Sequence, residues 1–127
     1  MNDRTMLQFD YEEVHDLAVT NVLGECAGLA GWWSIAIVLG VQALVIRVDR
    51  DTDELSVSLE PAPTSGGWIT VPELLDAIGA SLGWCWVGRN YLGYLDMFTL
   101  SLSGLEPQLC FVGEASGVNI SRIARIT

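Results

Sequence analysis

From Cys26 to Ile46 the chain runs 21 positions without a charge. A run of that length can cross a bilayer as a helix, so its reading decides between a membrane span and a buried sheet. Gly28, Gly31, Ser34, Gly40 and Gln42 interrupt it, and its second half is β-branched at Ile35, Ile37, Val38, Val41, Val45 and Ile46. Such side chains lose rotamer freedom in a helix and pack well on a pleated surface. The run therefore reads as two buried strands, Trp33–Leu39 and Gln42–Val48, turning at Gly40. The acidic stretch Met1–Glu13 has no basic region ahead of an apolar one, so no signal peptide is expected. A cytoplasmic protein without a membrane span follows as the expectation.

The rest of the chain adds one helix and more strands. Asp10-Tyr-Glu-Glu13 has the form of a capping box and opens a short N-terminal helix. The polar run Asp49–Glu54 reads as a hairpin loop into a strand, Leu55–Leu59, where Leu55, Val57 and Leu59 alternate with Ser56, Ser58 and Glu60. After a loop over Pro61–Gly67, Thr70-Val-Pro-Glu73 predicts the main helix. Thr70 is its N-cap, Leu74, Leu75, Ile78 and Leu82 its apolar side, and Gly83 its C′ residue, with Trp68 as a hydrophobic staple. Strands over Trp84–Val87, Tyr94–Leu102, Gln108–Gly113 and Val118–Ile126 then read as an antiparallel meander, the last an edge able to pair with a second copy. The expected fold class is α+β: a mostly antiparallel sheet with a hairpin, one main helix and a C-terminal meander. At 127 residues, the expected organisation is a single domain over 1–127.

Charge narrows the function. Sixteen Asp and Glu stand against six basic residues, all Arg, for a formal charge of −10. Nucleic acids and anionic membranes are bound by neutralising phosphate with Lys and Arg, so neither is an expected direct partner. A basic protein is, since opposite potentials steer encounter; excess acid also keeps an apolar chain soluble. Cys26, Cys85 and Cys110 have neither disulfide nor zinc spacing and read as small buried hydrophobes in a reducing compartment. Asp49, Asp51, Asp53 and Glu60 match positions 1, 3, 5 and 12 of a calcium loop, but Glu54 stands where its glycine is needed. His15 is the only histidine, Ser116 lacks the spacing of a nucleophile elbow, and no lysine is present. The expectation is a protein that is not an enzyme, with no metal or cofactor.

The richest constellation is Trp84-Cys-Trp-Val-Gly-Arg-Asn-Tyr-Leu-Gly-Tyr-Leu-Asp96. Trp84 and Trp86 stand two apart, as do Tyr94 and Asp96, so each pair shares a strand face if the pleat is regular. Aromatics beside Arg89, Asn90 and Asp96 have the composition of an interface hot spot; the same tryptophans could instead fill a core while Asn90 supports the turn. The segment 82–126 resembles a small uncharacterised bacterial family with a W-x-W and N-x-x-G-Y-x-D pattern, here Trp84, Trp86, Asn90, Gly93, Tyr94 and Asp96, followed by Ala115-Ser116 and Ile120, Arg122 and Ile123. By size and acidity the chain is similar to immunity proteins, which cap a cognate toxin. The leading expectation is a non-catalytic inhibitor-type domain that binds a basic toxin or effector. Its contacts are Trp84, Trp86, Arg89, Asn90, Tyr94 and Asp96, with Asp49, Asp51, Asp53 and Glu54 as an acidic rim. The alternative is a small-molecule or enzymatic pocket around Asn90, Tyr94 and Asp96, and a homo-oligomer stays open.

Overall fold

The computed structural model describes residues 7–26, 31–64 and 66–126. Within them ten strands form one sheet. They are β1 (Leu7–Gln8), β2 (Asn21–Cys26), β3 (Trp32–Leu39), β4 (Gln42–Val48), β5 (Leu55–Pro61), β6 (Trp68–Thr70), β7 (Leu82–Arg89), β8 (Leu95–Leu102), β9 (Leu109–Glu114) and β10 (Gly117–Arg122). Their spatial order is β1-β5-β4-β3-β10-β9-β8-β7, with β2 on β3 and β6 on β2. Every pairing is antiparallel except β1 with β5.

Strands make up 54% of the structure and helix 9%, in a sheet curled into a half-barrel, which overturns the expected α+β class with a main helix. The segment expected to be that helix forms only a 3₁₀ helix, Pro72–Ala77, whose N-cap is Val71 rather than Thr70. Its burial explains the outcome. Val71, Leu74 and Ala77 are fully buried, while Leu75 and Ile78 are exposed. A buried spacing of three matches the three residues per turn of a 3₁₀ helix, and Gly79, at φ +96°, ends the segment. Leu82 and Gly83 belong instead to β7. Gly83 is no helix cap: a Cβ there would lie 2.3 Å from the Gly104 carbonyl oxygen, so its bareness lets the β8–β9 loop approach. Trp68 is no staple either, because β6 pairs with β2.

The strand expectations fare better. β4 runs over Gln42–Val48 as expected, Gly40 sits in the β3–β4 turn at φ +82°, and the Leu55/Val57 side of β5 is buried. β10 stops at Arg122 and lies between β3 and β9, so it is not the sheet edge that Val118–Ile126 was expected to form. The described part of the charge-free run is divided among β2, β3 and β4, and no helix of the described residues is long and apolar enough to cross a membrane.

One face of the sheet holds the main core, with Ile35, Ile37, Leu44, Ile46, Phe98 and Phe111 among its buried side chains. The first described residues cross from one end of the strand order to the other. β1 pairs β5, then Phe9 sets its ring edge-on to Phe98 with centroids 6.4 Å apart. The short helix α1 (Tyr11–Val14) follows, with the Asp10 carboxylate accepting from the Glu12 N–H at 3.0 Å, as an N-cap should. Val14 is fully buried. The Asp16 N–H then donates to the Leu82 carbonyl at 2.9 Å, and the Leu82 N–H to that of Leu17 at 2.8 Å, which fastens the segment to β7.

The opposite face of β3 and β4 carries a second, small-residue cluster of Ala36, Val38, Ala43 and Val45, packed by Leu23, Ala62 and Trp68. On the same face, Arg47 grips Glu60 through both terminal guanidinium nitrogens, and the Ser58 hydroxyl donates to the same carboxylate at 2.5 Å. β4 is thereby covered on both sides, which is why its sequence reads as a continuous apolar run rather than an alternating one.

Candidate functional site

Register brings three connections to a similar level of the half-barrel. β4 ends where the acidic loop 49–54 begins; Ser34↔Arg47 and Trp32↔Val118 bring the start of β10 beside it; Met97↔Val112 puts the start of β8 at the end of β9. The β7–β8 and β9–β10 turns therefore stand side by side, and the acidic loop, which closes strands at the other end by direction, reaches the same level; together the three form a rim. The loop 49–54 and the later part of the segment 84–96 are brought to a similar level by the stagger of β10 against β3, which pair at their starts through Trp32↔Val118.

The acidic loop is fastened at several points. The Asp53 N–H donates to the Asp49 carbonyl at 2.7 Å, and the Asp51 N–H to the Asp49 carboxylate at 2.9 Å. The Asp53 carboxylate accepts from the Ser116 N–H at 2.9 Å, while the Ser116 hydroxyl donates to the Arg50 carbonyl at 2.8 Å. Arg50 lies over the Trp33 ring, 4.3 Å from its centroid, in a cation–π contact. A Cβ at Gly113 would stand 2.0 Å from the Asp53 carbonyl oxygen, so the loop rests directly on the β9 backbone. These contacts sort the four acidic residues: Asp49 and Asp51 are exposed, Asp53 is half-buried and engaged with Ser116, and Glu54 is buried. Glu60, the twelfth position of the calcium-loop match, is held by Arg47 on β5, so it does not join the loop carboxylates.

The β7–β8 turn is organised by Asn90. Its side-chain oxygen accepts from the Leu92 N–H at 2.9 Å and the Tyr94 N–H at 3.2 Å, and its own N–H donates to the Tyr94 carbonyl at 3.0 Å. Arg89 donates to the Gly93 carbonyl at 3.2 Å. Asn90 thus shapes the turn, which leaves its oxygen little capacity for a ligand. Tyr94 and Asp96 are half-buried on either side of Leu95, the first residue of β8. At the tip, Tyr91 is 96% and Leu92 61% exposed. Sequence reasoning passed over both. The available signal was an apolar pair between Asn90 and Gly93, where turn residues are normally polar.

Trp84 and Trp86 sit further along β7, away from the rim, and both are exposed. The register shifts between Leu82 and Cys85, so Trp84 lies in an irregular stretch and the pleat does not fix it on the face of Trp86. Its ring is stacked on Tyr11, centroids 5.2 Å apart and 5° from parallel. Burial pushes the Tyr11 hydroxyl above its ordinary pKa, with Cys85, Asp16 and Glu12 adding to the effect. Burial likewise pushes the Cys85 thiol up, keeping it protonated. Cys110 is buried as expected of a small hydrophobe, Cys85 is partly so, and Cys26 is exposed, contrary to that expectation.

Neither the curated proteins nor the solved structures include a match to this chain. A family model does match, over residues 1–127, and with its whole length covered the chain belongs to DUF6334, a family of unknown function.

Proposed function

We propose that the protein is a non-catalytic binding module of the immunity or inhibitor kind, which uses its rim to cap a basic protein partner in the cytoplasm. The observation that carries this reading is the β7–β8 turn tip, where Tyr91 and Leu92 stand exposed on a turn already ordered by Asn90. A turn whose backbone is ordered before binding loses less freedom on association, and tyrosine is favoured at interface hot spots. The exposed carboxylates of Asp49 and Asp51, on a loop fastened to the neighbouring β9–β10 turn through Ser116, supply the field that steers a basic surface inward. Arg89, Asn90, Tyr94 and Asp96 frame the tip.

The test begins with affinity capture from cell lysate at low and high salt, followed by titration of any purified basic protein retained. The Tyr91→Ala/Leu92→Ala double variant should weaken binding at least about tenfold, mainly by faster dissociation. Asp49→Asn/Asp51→Asn keeps the loop's acceptors, and should slow association and flatten its salt dependence. A protein held equally well by wild type and both variants would overturn the rim reading.

A further inference from the structure

β7 ends the strand order, and its side away from β8 is engaged among the described residues only at its beginning, by the N-terminal segment at Ser81 and Leu82. Natural edge strands are blunted by charge, proline, shortness or bulges. β7 is eight residues long, has no proline, and carries no charge before Arg89. Register shifts bound it at Leu82/Cys85 and Gly88/Arg89, so the stretch Cys85–Gly88 stays regular between them. Within that stretch Trp86 and Val87 are 39% and 43% exposed, and Met97 flanks them across from Gly88 at 41%. A regular, uncharged edge with an exposed tryptophan at its middle is a template for another strand.

The distribution of charge identifies the occupant. At the start of β7 stands α1, stacked through Tyr11 on Trp84 and carrying exposed Glu12; the exposed Asp16 is bonded through its backbone to Leu82. Arg89 stands exposed at the other end, with one of its donors on the Gly93 carbonyl. The edge is therefore acidic at one end and basic at the other. Antiparallel pairing of two such edges about a two-fold axis brings each basic end to the other's acidic end, the self-complementarity an isologous dimer requires.

We propose that β7 pairs antiparallel with β7 of a second copy, centred on Trp86, so that two half-barrels share one continuous sheet. This register sets Trp86 against its symmetry mate, where aromatic cross-strand pairs stabilise a sheet. It also sets Arg89 opposite the other copy's Gly83, beside that copy's Glu12 and Asp16. The proposal goes beyond the rim reading and uses residues apart from Tyr91, Leu92, Asp49 and Asp51, so the rim variants should leave self-association unchanged.

Sedimentation equilibrium on the purified full chain tests it without any partner. The wild type should be a dimer. Trp86→Lys and, independently, Val87→Lys should each be monomeric with unaltered circular dichroism, since both positions are exposed and lysine guards natural edges. Arg89→Glu alone and Glu12→Arg/Asp16→Arg alone should each raise the dimer dissociation constant at least about tenfold, by placing like charges together at both ends. An equimolar mixture of those two variants should restore dimers, because every end in the heterodimer again joins opposite charges. A wild type that stays monomeric up to its solubility limit overturns the proposal. So does a dimer that survives both lysine variants, or one whose charge variants fail to rescue each other.

Discussion

The β3–β4 and β7–β8 hairpins are both rich in apolar residues, yet they end in opposite environments. In β4, Ala43, Leu44, Val45 and Ile46 are all essentially inaccessible, so both faces of the strand are dry. In β7, Trp84, Trp86 and Val87 are exposed although their side chains are as apolar. The difference lies in neighbours. β4 lies between β3 and β5, with the core on one face and the small-residue cluster on the other. β7 has β8 on one side and no strand partner on the other among the described residues. The apolar content of β4 is thus structural, because both its faces and both its edges are covered, whereas that of β7 is available for recognition. The largest test of this contrast is truncation on each hairpin. Ile46→Ala should cost about 2–5 kcal/mol in urea unfolding, the range for a fully buried Ile or Leu. Val87→Ala should cost less than about 1 kcal/mol, measured at a concentration low enough to keep the chain monomeric. Equal losses would break the contrast.

The third hairpin, β9–β10, shows how the rim depends on close packing rather than on its acidic residues alone. Gly113→Ala would drive a Cβ into the Asp53 carbonyl, an obstacle that belongs to backbone and cannot rotate away. Overpacking of this kind costs about 1–3 kcal/mol. It should also loosen the acidic loop from the β9–β10 turn, so the Ser116 amide, which donates to the Asp53 carboxylate, should exchange faster with solvent than in wild type. Unchanged exchange with lower global stability would show that the loop is held elsewhere.

These packing relations set the limit of what the sequence could disclose. Alternation in Leu55–Glu60 and β-branching in 35–46 exposed the strands, because both are local consequences of the pleat. The helix expected after Thr70 failed because its capping signals were local, while its apolar positions were divided by tertiary structure. Val71, Leu74 and Ala77 went to the core, and Leu82 was taken by pairing with Leu102 in β8. β6 is three residues long, too short to show a period, and was missed. At the rim, the role of Asn90 in its turn was readable because it acts within four residues. The links from Asp53 and Arg50 to Ser116 span more than sixty residues, and no local pattern announces them.

The β9–β10 turn also stores backbone strain that can be removed. Ala115 and Ser116 both adopt left-handed conformations, at φ 54° and 64°. Two such residues suit a two-residue type I′ hairpin, which favours Asn-Gly or Gly-Gly. Ala115→Gly should therefore stabilise the protein by about 1 kcal/mol, the approximate cost of left-handed backbone for an L-residue. A rise in melting temperature is the readout; a fall would mean that the Ala115 methyl group contributes more through packing than its backbone costs.

The smallest expected effect concerns the cover over β4, the feature that β7 lacks. Hydrogen bonding to Arg47 holds the Glu60 carboxyl below its ordinary value of 4.5; partial burial opposes this, and the Ser58 hydroxyl supports it. A carboxyl whose folded pKa is depressed adds stability at pH above its unfolded value and loses it as pH falls through the folded one. The pair therefore stabilises the protein at neutral pH and ceases to do so in acid, below 4.5. Both side chains are about a third or more exposed, so solvent screening keeps the contribution under about 1 kcal/mol. Glu60→Gln should lower stability slightly at neutral pH and converge with wild type in acid. That convergence separates loss of the ion pair from loss of packing over Ala43 and Val45: a packing defect would persist at every pH, and in that case the cover on β4 is steric rather than electrostatic.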